Sequence, residues 1–298
     1  MTKLGEIGMS KLLSIRKGAR LRRTLALRTV SAIVLASSSL GVVLADTTVA
    51  GASQPSSYVC SGGSPTNPTM IPAGNYGSMT VTGFCAMQGT YNITSGLTVA
   101  TGAELDAAVF FGFYSYGKSC SVFVTVSGGI RVGQHGVLYF GNGLGTGCAS
   151  SNNVVNGGII AVGADTVVVH GTTINGRFSA TGGLGGTDCI PTAASPFAPY
   201  TDIEDSTLNG GATLSGNSTC WIGFIRNQVN GRVSVVNNTT GDPDAIEIGS
   251  NNINGSLACS GNALAFPGSG GVPTNSFDGS SPNKNTVTGA ETGQCAGL

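Results

Sequence analysis

The chain has 298 residues, only 9% of them charged, with 48 glycines and 14 basic residues matched by 14 acidic ones. So neutral and glycine-rich a composition departs from the charged mix of an ordinary cytosolic domain, and nothing in it resembles a long basic nucleic-acid-binding surface. Helical periodicity is almost absent, which points away from α-helical architectures.

Taken in chain order, the first element is a leader. Lys3, Lys11, Arg16, Lys17, Arg20, Arg22, Arg23 and Arg28 precede an apolar run from Thr29 to Ala45 that closes on Val43-Leu44-Ala45. A basic region, an apolar region and a small-residue cleavage site predict a signal peptide over 1–45. The run of 17 residues is interrupted by Ser37, Ser38, Ser39 and Gly41. A membrane span wants about 20 mainly apolar residues, so no stable span is expected after cleavage. Ala50-Gly51-Ala52 offers a second cleavage site, Met9 a second start, and Arg22-Arg23 keeps a twin-arginine route open beside the general one. Beyond residue 45, six basic residues face thirteen acidic ones, a net charge of −7. Without a basic stripe, neither nucleic acid nor an anionic membrane surface is a plausible partner.

A Ser/Pro-rich segment over 46–70 leads into the predicted folded body, 71–259. Its defining motif is apolar, Asn, Gly, any residue, apolar. The copies are Val155-Asn156-Gly157-Gly158-Ile159, Ile174-Asn175-Gly176-Arg177-Phe178, Leu208-Asn209-Gly210-Gly211-Ala212, Val229-Asn230-Gly231-Arg232-Val233 and Ile253-Asn254-Gly255-Ser256-Leu257. Weaker copies around Gly77, Ser95 and Gly128 bring the count to eight, at steps of 18 to 34 residues. Self-similarity at that period is the mark of a stacked coil. Asn and Gly tolerate a left-handed bend, and Asn156, Asn175, Asn209, Asn230 and Asn254, placed above one another, would hydrogen-bond as a ladder.

The residues after each bend alternate. One column reads Met79, Leu97, Ile130, Ile159, Phe178, Ala212, Val233, Leu257, and another Val81, Val99, Val132, Ala161, Ala180, Leu214, Val235, Cys259. Between them run Thr80, Thr98, Arg131, Ile160, Ser179, Thr213, Ser234 and Ala258. Period two means strand, and a single strand cannot bury its inner face unless copies stack. The expected fold is therefore an all-β, right-handed parallel β-helix of about eight rungs with an Asn ladder. The longer steps must carry loops, the clearest being the Gly/Pro-rich stretch from Thr181 to Tyr200.

All eight cysteines, Cys60, Cys85, Cys120, Cys148, Cys189, Cys220, Cys259 and Cys295, follow the leader. An even count in an exported chain reads as four disulfides. Pairing in order gives separations of 25, 28, 31 and 36, about one rung each. Eight cysteines allow roughly a hundred connectivities, so the order stays open. No two are close enough for a Cys-x-x-Cys metal site, and no metal or other cofactor is expected. The tail over 260–298 is Gly/Ser/Pro-rich and pinned by a disulfide.

The segment Asn251 to Asn262 (NNINGSLACSGN), the closing Asn285-Thr286-Val287-Thr288-Gly289 and Gly293-Gln294-Cys295, and Gly74 to Gly83 (GNYGSMTVTG) resemble secreted β-helix-like proteins of high-GC Gram-positive bacteria that have no assigned activity. The resemblance covers most of the chain beyond the leader. It implies an exported β-helix and carries no substrate.

Two functions remain in view. The first is a secreted, disulfide-stabilised scaffold or surface adhesion module without enzymatic activity, whose partners would be carbohydrate or cell-envelope components. The alternative is a pectate-lyase-like or polygalacturonase-like enzyme on extracellular polysaccharide, since glycosidic chemistry needs two carboxylates and lyases pair acid-held calcium with a cationic base. Its candidates are Asp202, Glu204 and Asp205 before one rung and Asp242, Asp244 and Glu247 two rungs later, with Arg177 and Arg232 sharing one exterior column. Calcium enters only under this alternative. Against it, no Asp-Asp pair occurs, and Gln134-His135-Gly136 and Val169-His170-Gly171 match half of a Gly-His-Gly. Both histidines read as structural. Trp221, Phe224 and the cluster Phe110, Phe111, Phe113, Tyr114 and Tyr116 are aromatic surfaces for sugar stacking or, more simply, caps on the coil.

Overall fold

A computed structural model describes residues 55–108, 122–142, 152–192, 197–242, 244–265, 273–276 and 282–298. The leader, Cys120, Cys148 and the Phe110 to Tyr116 cluster lie outside the described residues. Within them no helix is long and apolar enough to cross a membrane.

The chain coils as a parallel β-helix. One coil runs through a strand at Asn153–Val155, the Asn-Gly bend, a strand at Ile159–Val162, a turn, and a strand at Thr166–His170 before the next coil begins at Thr172–Ile174. Among the described residues, copies stack in parallel into three long sheets. Sheet I, after the bend, has ten strands from Tyr58–Cys60 to Glu291–Gly293; sheet II has eight, from Thr69–Ile71 to Ile246–Gly249; sheet III, before the bend, has nine, from Gly74–Tyr76 to Thr286–Val287. A short fourth sheet joins Ser218–Thr219, Thr239–Thr240 and Ala263–Leu264.

The sequence columns are register columns. Met79 pairs with Leu97, then Ile130, Ile159, Phe178, Ala212, Val233 and Leu257 in unbroken succession, and all are at most 2% exposed. Sheet III contributes Ile93, Val126, Val155, Ile174, Leu208, Val229 and Ile253 to the same core, and sheet II Phe140, Val169, Ile203, Phe224 and Ile248. Each such side chain removed from water is worth about 1.5–3 kcal/mol, and the stack supplies the partners a lone rung lacks. Two strands of sheet I fall outside the eight repeats. In the last, Val287-Thr288-Gly289-Ala290-Glu291 puts Thr in the Asn slot and Glu in the first apolar slot, which hides it from a pattern search.

Glycine at the bend is explained differently from the expectation. Among the five Asn-Gly pairs only Gly231 has a positive φ, and none of the five asparagines does. The cause is contact: a Cβ on Gly176 would come within 2.5 Å of Gly158 N, and one on Gly255 within 2.2 Å of Gly231 O. Successive bends stack backbone on backbone, leaving no room for a side chain.

The exposed ladder is present. Asn175 Nδ2 donates to Asn156 Oδ1 at 2.9 Å, Asn209 to Asn175 at 2.8 Å and Asn230 to Asn209 at 2.9 Å, while Asn254 Oδ1 accepts from Thr288 Oγ1 at 3.3 Å. It lies in solvent, so its bonds exchange with water at modest net gain. Two further ladders are buried. In one, Asn227 Nδ2 donates to Asn251 Oδ1 at 3.1 Å and Asn251 Nδ2 to Asn285 Oδ1 at 2.9 Å; in the other, Asn217, Asn238, Asn262 and Gln294 link in the same way. Each amide oxygen also accepts a backbone N–H, and each nitrogen also donates to a core-strand carbonyl, as Asn238 does to Leu214 O. A left-handed residue stands directly ahead of most buried rungs: Arg226 and Ser250 ahead of Asn227 and Asn251 on one turn, Gly216, Asn237 and Gly261 ahead of Asn217, Asn238 and Asn262 on the other. For a non-glycine that conformation costs roughly 1–2 kcal/mol, which the fully satisfied buried amide offsets.

Among the described residues three disulfides pair cysteines in chain order, Cys60–Cys85, Cys189–Cys220 and Cys259–Cys295, closing separations of 25, 31 and 36 residues. The last holds the C-terminal turn against the Leu257–Ser260 strand of sheet I. Each bridge typically adds about 2–4 kcal/mol.

Candidate functional site

Alternation along sheet II turns Thr201, Ile203, Ile222, Phe224, Ile246 and Ile248 inward, and Val168, His170, Asp202, Glu204, Gly223 and Glu247 outward. Outward here does not mean exposed. His170 and Asp202 are 5% exposed and Glu247 2%, so this stretch of the face is covered and its polar groups are held in a medium poorer than water. Phe197 and Tyr200 pack on Val137, Tyr139 and Val168 nearby, with Tyr139 edge-on to Phe197 at 5.8 Å and Tyr200 edge-on to Trp221 at 5.9 Å.

His170 and Glu204 are register partners on adjacent strands, and Asp202 stands two residues before Glu204 on the same face. Stacking therefore converges three groups that are far apart in sequence. His170 Nε2 lies 2.7 Å from Asp202 Oδ2, and one donor atom from each of His170, Asp202 and Glu204 falls within 4.8 Å of the others. At the sheet II to sheet III turn, Arg226 stacks above Asp205, both in the left-handed conformation. Its Nε and Nη2 clasp the Asp205 carboxylate at 2.6 and 3.1 Å, and Nη2 also reaches Glu204 Oε2.

The electrostatics follow from burial. Desolvation, reinforced by the Asp202 charge, lifts the Glu204 carboxyl to about 7, against the pull of His170 and Arg226. For His170 burial acts downward, yet the Asp202 charge and hydrogen bond, helped by Glu204 and Asp205, outweigh it and raise the imidazole. Upstream on the same outer face, Glu104 and Asp106 sit on the strand Glu104–Ala107, where burial pushes their carboxyls up to about 8 and about 6. A group of this kind can hold or pass a proton near neutrality, or hold a cation.

The predicted residues divide. Asp202, Glu204 and Asp205 meet in this cluster. Glu247 shares the Asp202 register column, with Gly223 between them. Asp242 lies in the turn ahead of the Ile246–Gly249 strand, close enough that it and Asp202 both add to the burial that raises the Tyr200 phenol. Asp244 is exposed, its backbone N–H turned onto Asp242 Oδ1 at 2.9 Å. Arg177 and Arg232 are exposed at the entrance of sheet I strands, with Gly211 between them in register, and do not join the acidic cluster. The cation that does is Arg226. His135 pairs with buried Asp165 at 3.0 Å in the turn between sheets I and II.

Sequence reasoning missed His170 and Arg226, although a signal existed. His170 and Glu204 each lie five residues before a ladder asparagine, Asn175 and Asn209, while Asp205 and Arg226 lie four before Asn209 and Asn230. Counting backwards from the ladder would have placed each pair in one column. Beside the cluster, Asp205 also lines a depression of 260 Å³ with Gly171, Thr172, Thr173 and Thr207, and a second of 380 Å³ lies at the glycine bend around Gly128 and Arg131.

No family model, no curated protein and no solved structure matches the chain.

Proposed function

We propose that the protein is an exported, disulfide-stapled β-helical scaffold that binds carbohydrate or other cell-envelope components along its side and has no turnover of its own, in keeping with the secreted proteins its sequence resembles. The observation that carries this reading is the way the polar groups are used. Arg226 is committed to Asp205 and Glu204, His170 to Asp202, and the described cysteines to one another, so rigidity is what the chain's few special residues supply. The three bridges fit an oxidising compartment outside the cytosol. A net charge of −7 from six basic and thirteen acidic residues beyond residue 45 suits a soluble, extended module and disfavours polyanionic partners.

The test is a pull-down of the purified mature chain on isolated envelope polysaccharide, run beside a turnover assay on pectic, alginate and other uronic-acid polymers with and without calcium. Retention without turnover is expected. A polysaccharide enzyme is the second reading, favoured by the buried His170–Asp202 pair beside a Glu204 carboxyl held near neutrality. Product formation that vanishes in Asp202→Asn would replace the scaffold reading with that one.

A further inference from the structure

We infer that His170, Asp202 and Glu204 form a binding site for one divalent transition-metal cation of the zinc class. Sheet stacking brings an imidazole nitrogen and two carboxylates within 4.8 Å of one another, so that small side-chain rotations would seat all three on one ion at the ~2.0–2.2 Å of zinc-class ligation. A second observation points to a ligand. Asp202 is 95% buried by its 5% exposure, and although its Oδ2 takes His170, its Oδ1 is enclosed with no hydrogen-bond partner. A buried carboxylate oxygen without a partner is costly, and native structures rarely leave one so unless something else fills the role. That oxygen faces the next strand, where a Cβ on Gly223 would come within 2.2 Å of the Trp221 ring and 2.5 Å of Oδ1.

Charge makes the same case. With a bound cation keeping His170 neutral and the carboxylates of Asp202, Glu204 and Asp205 ionised, these groups and the single guanidinium of Arg226 sum to two negative charges, which one divalent cation neutralises. The donor set selects the class of ion. Nitrogen with carboxylate oxygen suits zinc and its neighbours, whereas calcium takes six to eight oxygens and no imidazole. Arg226, by clasping Asp205 and Glu204 from the turn, acts as a positioning group for the Glu204 ligand. Binding must break the His170–Asp202 hydrogen bond, because the Nε2 lone pair goes to the metal. Any proton held there is released, so affinity rises with pH.

The experiment uses the chelator-treated mature chain, titrated calorimetrically with Zn²⁺ alone and with Ca²⁺ alone at pH 6 and pH 7.5, with Co²⁺ as an absorption probe. Expected are one Zn²⁺ per chain, binding at least tenfold tighter at pH 7.5 than at pH 6, little Ca²⁺ binding, and visible d–d bands with Co²⁺. Asp202→Asn and His170→Ala should each weaken Zn²⁺ at least tenfold, while His135→Ala at the exposed pair leaves it unchanged. Should the two site variants fail to fold, the Co²⁺ bands and the pH dependence of the unaltered chain still decide. No saturable Zn²⁺ uptake, preference for Ca²⁺, or uptake abolished by His135→Ala would overturn the site.

Discussion

The exposed ladder at the Asn-Gly bend and the buried ladders at the turns are built from the same amide, yet they support the coil by different means. Asn209 passes one side-chain bond along the stack in full contact with water. Asn238, wholly buried, accepts from the Asn217 backbone N–H and side chain and donates to Leu214 O and Asn262 Oδ1. Water can replace what Asn209 provides but cannot reach what Asn238 satisfies. The repetition that makes a ladder conspicuous in a sequence is therefore a poor guide to how much it contributes.

Substitution at the two ladders sharpens this contrast. Asn238→Leu should lower stability by about 3 kcal/mol or more, because it leaves several enclosed donors and acceptors without partners at roughly 1–3 kcal/mol each. The check is the urea midpoint of the mature, oxidised chain; a loss below about 1 kcal/mol would show that the turns repack around leucine.

A buried polar group without a partner should behave in the opposite sense. Glu104 Oε2 is enclosed and unbonded, and burial followed by the Asp106 charge raises the carboxyl from 4.5 to about 8. A raised folded-state pKa on an acid means the native state holds the proton longer than the unfolded one. Stability is then full below about 4.5 and declines as pH rises through about 8, and Asp106, shifted from 3.8 to about 6, adds to the same slope. Glu104→Gln should accordingly stabilise the chain at pH 8 by about 2 kcal/mol, on the basis of ~1.4 kcal/mol per pK unit discounted for relaxation. Denaturation midpoints at pH 5 and pH 8 that are equal in both proteins would contradict this.

Glycine at the bend tests whether contact or conformation governs it. Gly176→Ala has an ordinary φ but meets Gly158 N at 2.5 Å, so a loss of about 1–3 kcal/mol is expected from forced separation of two coils. A neutral or stabilising result, as reduced chain entropy alone would give, would revive the conformational explanation. The smallest effect belongs to Asn209→Leu, under about 1 kcal/mol, since its partners turn to water. A cost matching that of Asn238→Leu would abolish the distinction between the ladders.

What the sequence by itself determined is everything that repeats. Period-two alternation after each Asn-Gly pair specified strands, and their recurrence specified stacking, down to the register of Met79 over Leu97 and of Val235 over Cys259. The reason is local: every copy solves the same burial problem with the same residue types. The cluster depended on connections that do not repeat. Steps between copies vary from 18 to 34 residues, and the insertions fall between sheets II and III in the early coils, as at 108–121, and between sheets I and II in later ones, as at 182–199. A constant offset from the ladder survives only on the short path into the bend, which is why His170, Glu204, Asp205 and Arg226 could have been placed from the sequence and Asp242 and Asp244 could not. Tertiary structure alone decided that the outer face of sheet II is covered around His170, Asp202 and Glu247, since exposure depends on segments that cross from elsewhere in the chain. That covering takes His170 and Asp202 out of water and most of Glu204 with them, and there desolvation lifts the Glu204 carboxyl while the Asp202 contact, against desolvation, raises the His170 imidazole.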